Sequence, residues 1–302
     1  MTKTPYLPDE RQFIEEELKL SVLHLEEYAQ NIESWYYIFP ISKGNQKKRW
    51  ISAPKKELKH IQNVFLNGFL YKAKAHNCAH GFVPKRSIVT NARPHVQKKW
   101  VANFDIHSFF PSTKKTAIRA TIQKRFNFSE SLTSLLCNVL TLKGELPQGA
   151  PTSPHLANLV MWDADTKLEH FARENQLTYT RYADDLTFSG DRIPATIQQK
   201  IRDILAPFGY KLAYQKSKVL GQHKRQMVTG LVVNEKINLP RPLRKRLRAI
   251  IHDIKKNGVE HALHRSKLNF DQLLGHISLQ HMWDPQQAEE QILELAEALQ
   301  LG

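Results

Sequence analysis

Apolar positions recur with roughly helical spacing over residues 9–39. Phe13, Leu18, Leu20, Val22, Leu23, Leu25 and Tyr28 mark one side, and acidic residues fill the other, which predicts a packing helix. A basic stretch from Lys43 to Arg49 reads as a turn leading into Trp50, Ile51, Ser52, Ala53 and Pro54. Pro54 precedes a second predicted helix over 55–75, with Leu58, Ile61, Val64, Phe65 and Leu70 on its buried side. Residues 81–88 are loop-like, and 100–106 read as a strand carrying Asp105 at its C-terminal end. Helices are predicted over 114–125 and 129–140. The Pro- and Gly-rich stretch 146–154 then forms a loop that opens a long helix over 155–175.

Two short runs of strand-forming residues, 178–182 and 186–189, flank a two-residue connection and predict a β-hairpin. A helix over 195–207 and a strand over 227–233 complete a region of alternating elements, so an α+β sheet domain is expected up to about residue 235. Beyond Pro240 the composition changes. Residues 241–267 hold nine Lys or Arg against two Asp or Glu, with Leu243, Leu247, Ile250, Ile251 and Ile254 at helical spacing. One side of that helix packs and the other can grip phosphates. From Asp284 onward there is no Lys or Arg, and Ile292, Leu293, Leu295, Leu299 and Leu301 give an apolar face to a closing helix.

Charge narrows the partner. Over 302 residues, 44 Lys and Arg against 29 Asp and Glu leave a net charge of +15. An excess of that size implies a polyanion, because neutralised phosphates release counterions. No segment approaches the roughly 20 apolar residues of a membrane span, so nucleic acid is favoured over a membrane. The first residues lack the apolar stretch of a signal peptide. Cys78 and Cys137 are the only cysteines, which fits a reducing, cytoplasmic setting. His76, Cys78 and His80 alternate at a spacing that matches no common zinc pattern, so no metal is expected there.

Chemistry concentrates at Tyr182, Ala183, Asp184 and Asp185. Adjacent carboxylates at a tight turn repel each other and are depleted in strands, yet they suit a site for divalent cations. Asp105 closes an apolar strand that a sheet can bring to the same place. Three carboxylates supply the oxygen-rich donor set that Mg²⁺ prefers, and two such ions can activate a hydroxyl and stabilise a departing pyrophosphate. The same residues also serve as a cap and a solvated turn, so the residues alone leave both readings open.

Phe104–Asp105, the loop Pro147, Gln148, Gly149 with Ser153 and Pro154, and Tyr182 to Asp185 resemble, in order and spacing, successive motifs of reverse transcriptases. Within that superfamily the chain is most similar to bacterial retron enzymes. Asn91, Ala92, Arg93, Pro94 and His95 resemble their Asn-Ala-x-x-His signature, and Val228, Thr229 and Gly230 their Val-Thr-Gly triplet. Lys85 stands where many relatives have Gly before Arg86, Ser87 and Ile88.

The resemblance implies a right-hand polymerase: an N-terminal helical segment over 1–48, fingers and palm over 49–235, and a helical thumb over 236–302. It implies that Asp105 and Asp184, with the Ile106 carbonyl and a more peripheral Asp185, hold two Mg²⁺ ions, for which Mn²⁺ can substitute. Arg86, Ile106, Phe110, Gln148 and Gly149 would border the incoming dNTP, Phe110 as a gate against a 2′-hydroxyl. Lys216 would serve either as proton donor to pyrophosphate or as a phosphate contact. Asn91 and His95, four apart, would cap the core or contact RNA. Val228, Thr229 and Gly230 would recognise structured RNA, and Arg244, Lys245 and Arg248 the nucleic-acid backbone. The implied partners are a cognate retron noncoding RNA, its branched single-stranded DNA product (msDNA), dNTPs and a separately encoded effector of antiphage defence. Two alternatives are a shortened intron-type reverse transcriptase and a noncatalytic RNA-binding scaffold.

Overall fold

The computed structural model describes residues 6–42, 48–213, 215 and 217–300, with the side chains of 298–300 left aside. Residues 43–47 of the basic turn expected over 43–49, and Lys216, therefore lie outside the described residues, while Lys48 and Arg49 are in a strand.

Its centre is a four-stranded antiparallel sheet in the order β4–β5–β3–β6, formed by β3 (Trp100–Asp105), β4 (Thr178–Tyr182), β5 (Asp185–Gly190) and β6 (Lys218–Gly221). Side chains alternate between the two faces of each strand. Phe104, Leu186, Phe188 and Tyr179 fall on the face that packs against helices Ser153–Val160 and Trp162–Glu174. Each buried Leu, Ile or Phe there contributes about 1.5–3 kcal/mol. Asn103, Asp105, Thr180, Asp185, Thr187 and Ser189 share the opposite face, as their pairing shows.

The first forty residues are not one helix. Short helical pieces, Pro8–Gln12, Phe13–Glu17, Val22–Gln30 and Ile32–Trp35, give way to a strand, β1 (Tyr36–Ser42), which pairs antiparallel with β2 (Lys48–Pro54). Aromatic and β-branched residues from Tyr36 to Ile41 favour a pleated surface over a helix. The hairpin straddles the expected boundary at residue 48, so residues 36–42 belong structurally with β2 rather than with the N-terminal helical pieces. Glu10 ties those pieces to the body: its carboxylate accepts from the Ser129 amide and hydroxyl at 2.5 and 2.7 Å. Ser129 also caps helix Glu130–Leu140, accepting from Leu132 N.

The long helix expected over 155–175 is two, broken at Met161, and the basic C-terminal helix is likewise two, Arg241–Asn257 and Val259–Ser266. Gly258, at φ +83°, makes the second break. Helices Phe270–His281 and Pro285–Gln300 complete a helical C-terminal unit. Its core includes Leu247, Ile250, Leu273 and Ile277, and extends to Val89, Ala92, Val101, Val228 and Leu231. The strand expected over 227–233 is a minimal hairpin, β7 (Met227–Val228) and β8 (Leu231–Val232). Among the described residues no helix is long and apolar enough to cross a membrane.

Candidate active site

Strand pairing brings the backbone positions of the three aspartates to one end of the sheet. Asp105 ends β3 directly opposite Asp185, the first residue of β5, and Tyr182 pairs with Asp185 across the hairpin. Ala183 and Asp184 are the two-residue connection. Ala183 takes φ +56°, a left-handed conformation that costs an L-residue about 1–2 kcal/mol. Its carbonyl is held by the Arg181 guanidinium at 3.0 Å. The Asp184 carbonyl accepts from Ile106 N at 2.9 Å, and the Asp105 carbonyl from Ala213 N at 2.7 Å. The ends of β3 and of the hairpin are thus fixed by backbone bonds on both sides.

Asp105, Ile106 and Asp184 line a cleft of about 590 Å³ with Phe110, Gln148 and Trp50. Asp105 is 9% exposed, Asp184 half-buried and Asp185 exposed. Phe110 is braced by the Phe109 ring at 5.4 Å and the Phe82 ring at 6.3 Å. Gln148 is oriented by Arg49, whose Nε donates to its Oε1 at 3.0 Å, and its carbonyl accepts from Ser52 N at 2.8 Å. Gly149 follows at φ +137°, and a Cβ there would lie 2.8 Å from the Ser52 carbonyl oxygen. Only glycine lets the loop approach β2 so closely.

Other expected site residues lie elsewhere. Arg86 is not among the residues lining the cleft; its guanidinium donates to the carbonyls of Asn77 and Ala79 and closes the preceding loop. Asn91 and His95, expected either to cap the core or to contact RNA, are wholly buried. His95 sits behind the hairpin, with Nδ1 2.6 Å from Ser189 Oγ and Nε2 2.8 Å from Thr180 Oγ1. Asn91 has no hydrogen-bond partner for either amide atom among the described residues. Val228 is buried as well, while Thr229 and Gly230 form the turn of β7–β8 at φ +46° and +83°. Positive φ at both central positions suits the right-handed twist of a two-residue hairpin. Thr229 is β-branched and strained there, and its hydroxyl donates to the Ile88 carbonyl at 3.0 Å. Lys245 and Arg248 are exposed on helix Arg241–Asn257; Arg244 is half-buried.

Burial pushes His95 down to about 3, helped by His80 and Lys98, and His80 down to about 4, helped by Arg86. Both therefore stay neutral when folded. Below about pH 6.5 the unfolded chain binds protons that the native state refuses, so stability is full above that pH and declines as pH falls toward 4. Urea unfolding between pH 8 and 4.5 is expected to show this slope, and His95→Gln to flatten much of it. Lys85 adopts φ +63°, the conformation that glycine takes freely. Lys85→Gly is expected to stabilise the protein by about 1 kcal/mol, read as a rise in urea midpoint at constant m.

Sequence reasoning missed the support beneath the turn. Arg181 and Asp165 are each 0% exposed and form a two-pronged ion pair, with Tyr179 Oη donating to Asp165 at 2.9 Å. Burial works against the Arg181 charge, and the Asp165 carboxylate outweighs it and holds the guanidinium protonated. An arginine in the middle of a strand of Thr and Tyr residues was the available signal. His76, Cys78 and Asp165 also meet, their donor atoms within 4.8 Å of one another; His80 instead bonds Thr90 Oγ1 at 2.9 Å. Since Arg181 and Tyr179 occupy the Asp165 oxygens, a cation there would face a guanidinium.

A sheet with Asp105, Asp184 and Asp185 gathered at one end, beside a glycine-bearing loop, has the form of the palm of a right-hand polymerase. A model of the family described as reverse transcriptase (RNA-dependent DNA polymerase) matches residues 41–233. The chain belongs to the reverse transcriptases, and curated relatives include several retron enzymes. The retron Mx65 reverse transcriptase of Myxococcus xanthus is 37% identical over 276 residues, covering 84% of this chain and 62% of that one. The retron Mx162 enzyme of the same organism is 31% identical over 96% of this chain and 67% of its own length. The retron Ec86 reverse transcriptase of Escherichia coli is 33% identical over 75% and 73% respectively. This chain thus spans about three fifths to three quarters of the relatives it matches.

Proposed function

We propose that this chain is a retron RNA-directed DNA polymerase. It copies a cognate structured noncoding RNA from dNTPs, starts from a guanosine 2′-hydroxyl of that RNA and yields branched msDNA. It acts in the cytoplasm in antiphage defence, with a separately encoded effector. The observation that carries the reading is the meeting of Asp105, Asp184 and Asp185 at one end of the sheet, joined to retron relatives over most of the chain. Residues 49–235 serve as fingers and palm, and 236–302 as a thumb whose exposed Lys245 and Arg248, with Arg244, meet phosphates.

The donor set fits divalent metal. It consists of three carboxylates and the Ile106 carbonyl, all hard oxygen donors of the kind Mg²⁺ selects. When bound, two Mg²⁺ ions, or Mn²⁺ in their place, lower the charge cost at the attacking and leaving oxygens. The chain's residues do the rest. Phe110, held from two sides by rings, sets a fixed wall against a ribose 2′-hydroxyl. Gln148, oriented by Arg49, and the bare backbone at Gly149 bound the nucleotide and template side. Arg86 acts through the loop it closes, and Lys216 as proton donor or phosphate contact.

The priming claim is tested by incubating the full chain with its adjacent noncoding RNA and labelled dNTPs. A DNA product that stays attached to RNA after denaturation, and is lost when the priming guanosine carries 2′-deoxyribose, supports it. A free DNA strand, or synthesis indifferent to that 2′-deoxy substitution, overturns it.

A further inference from the structure

Arg181 uses four N–H groups in one buried network. Nε and Nη2 donate to Asp165 at 2.9 and 2.6 Å, and Nη1 donates to Asn158 Oδ1 at 2.9 Å and to the Ala183 carbonyl at 3.0 Å. Asn158 continues the chain, its Nδ2 donating to the Gly81 carbonyl at 2.9 Å. The backbone runs in parallel: Arg181 N donates to the Cys78 carbonyl and His80 N to the Arg181 carbonyl, both at 2.7 Å. A Cβ on Gly81 would lie 2.5 Å from Ala183 N, so loop and turn touch with no side chain between them. Phe82, next in the loop, lies against Phe110 in the cleft wall.

A buried ion pair is a weak source of net stability, since apolar replacements of similar volume often match it. What apolar residues could not do is hold two carbonyls, one from the turn and one from the loop, at fixed positions. We propose that Arg181 is a positioning residue: braced by Asp165, it fixes the Asp-bearing turn and the 77–82 loop as one body, so that the Asp184 carboxylate and the Phe110 wall keep a constant relation. The kinetic consequence rests on the polymerase reading; the mechanical coupling does not.

The test uses the full chain and two variants. Arg181→Lys retains the charge opposite Asp165 and loses the fork; Asn158→Ala retains the ion pair and cuts the branch to Gly81. Amide hydrogen exchange is followed at 77–83 and 182–186, alongside single-nucleotide incorporation. In Arg181→Lys both segments are expected to lose protection together. Its kcat should fall about 10-fold to 100-fold, as for a small misplacement of reacting groups, with template affinity unchanged. In Asn158→Ala protection is lost first at 77–83, and KM for dNTP rises more than kcat falls. Opening of only one segment in Arg181→Lys, or turnover within twofold of wild type, overturns the proposal. Should Arg181→Lys fail to fold, unchanged protection at 77–83 in Asn158→Ala overturns it instead. If wild-type protein makes no DNA the polymerase reading fails, and the exchange result still decides the coupling.

Discussion

Asp184→Asn is expected to reduce DNA synthesis by about 10³-fold or more while leaving the fold and RNA affinity intact. The size follows from the several kcal/mol that a two-metal site supplies to the transition state, at 1.36 kcal/mol per tenfold in rate. The fold survives because the Asp184 contact that shapes the turn is its backbone carbonyl, which accepts from Ile106 N whatever the side chain. Asp105 offers a less clean experiment, since it is buried and sits in the register of β3 with β5. Primer extension and a melting curve on the same preparation separate loss of chemistry from loss of structure.

Asp165→Ala is expected to act through stability, costing about 3–5 kcal/mol. Removing one partner strands the Arg181 guanidinium in a fully buried site, and such uncompensated charges carry penalties of that order. Tyr179 Oη loses its acceptor in the same stroke. Against a total stability of about 5–15 kcal/mol for typical proteins, the variant should be poorly folded or aggregate at growth temperature. Replacing Asp165 and Arg181 together by leucine is expected to restore much of the stability, with synthesis still impaired. Urea unfolding of the single and double variants measures both statements.

The site was legible where chemistry and spacing coincide in the chain. Asp105 at the end of an apolar strand and the Asp pair between two strand-like runs could be read directly, and the sheet joins them. The C-terminal helices over 241–267 and from 284 onward were legible from apolar spacing, apart from the break at Gly258, while helix Phe270–His281 between them was missed. β1 was missed because its apolar residues continue the preceding helical pattern, although Tyr36, Tyr37, Ile38 and Phe39 followed by Pro40 favour a strand. β6 is four residues long, too short for any periodicity to register.

Asn91 and His95 were the hardest to judge. A polar pair in a basic, proline-containing segment looks exposed, and the partners that bury His95, Thr180 and Ser189, lie more than eighty residues away. Arg181 was hidden for a different reason: its partners Asp165 and Asn158 lie only 16 and 23 residues away, but on two helices whose packing against the strand no local pattern reveals. Lys85 stands where many relatives have glycine, and its backbone nevertheless takes positive φ, the conformation glycine adopts freely, with lysine in place.

Mg²⁺-dependent incorporation of labelled dNTPs on the adjacent noncoding RNA, with wild type and Asp184→Asn side by side, is the most direct test of the polymerase reading. DNA is expected from the wild type, vanishing when divalent metal is chelated, and essentially none from the variant. Wild-type protein that binds the RNA but incorporates nothing, or a variant as active as wild type, would contradict it.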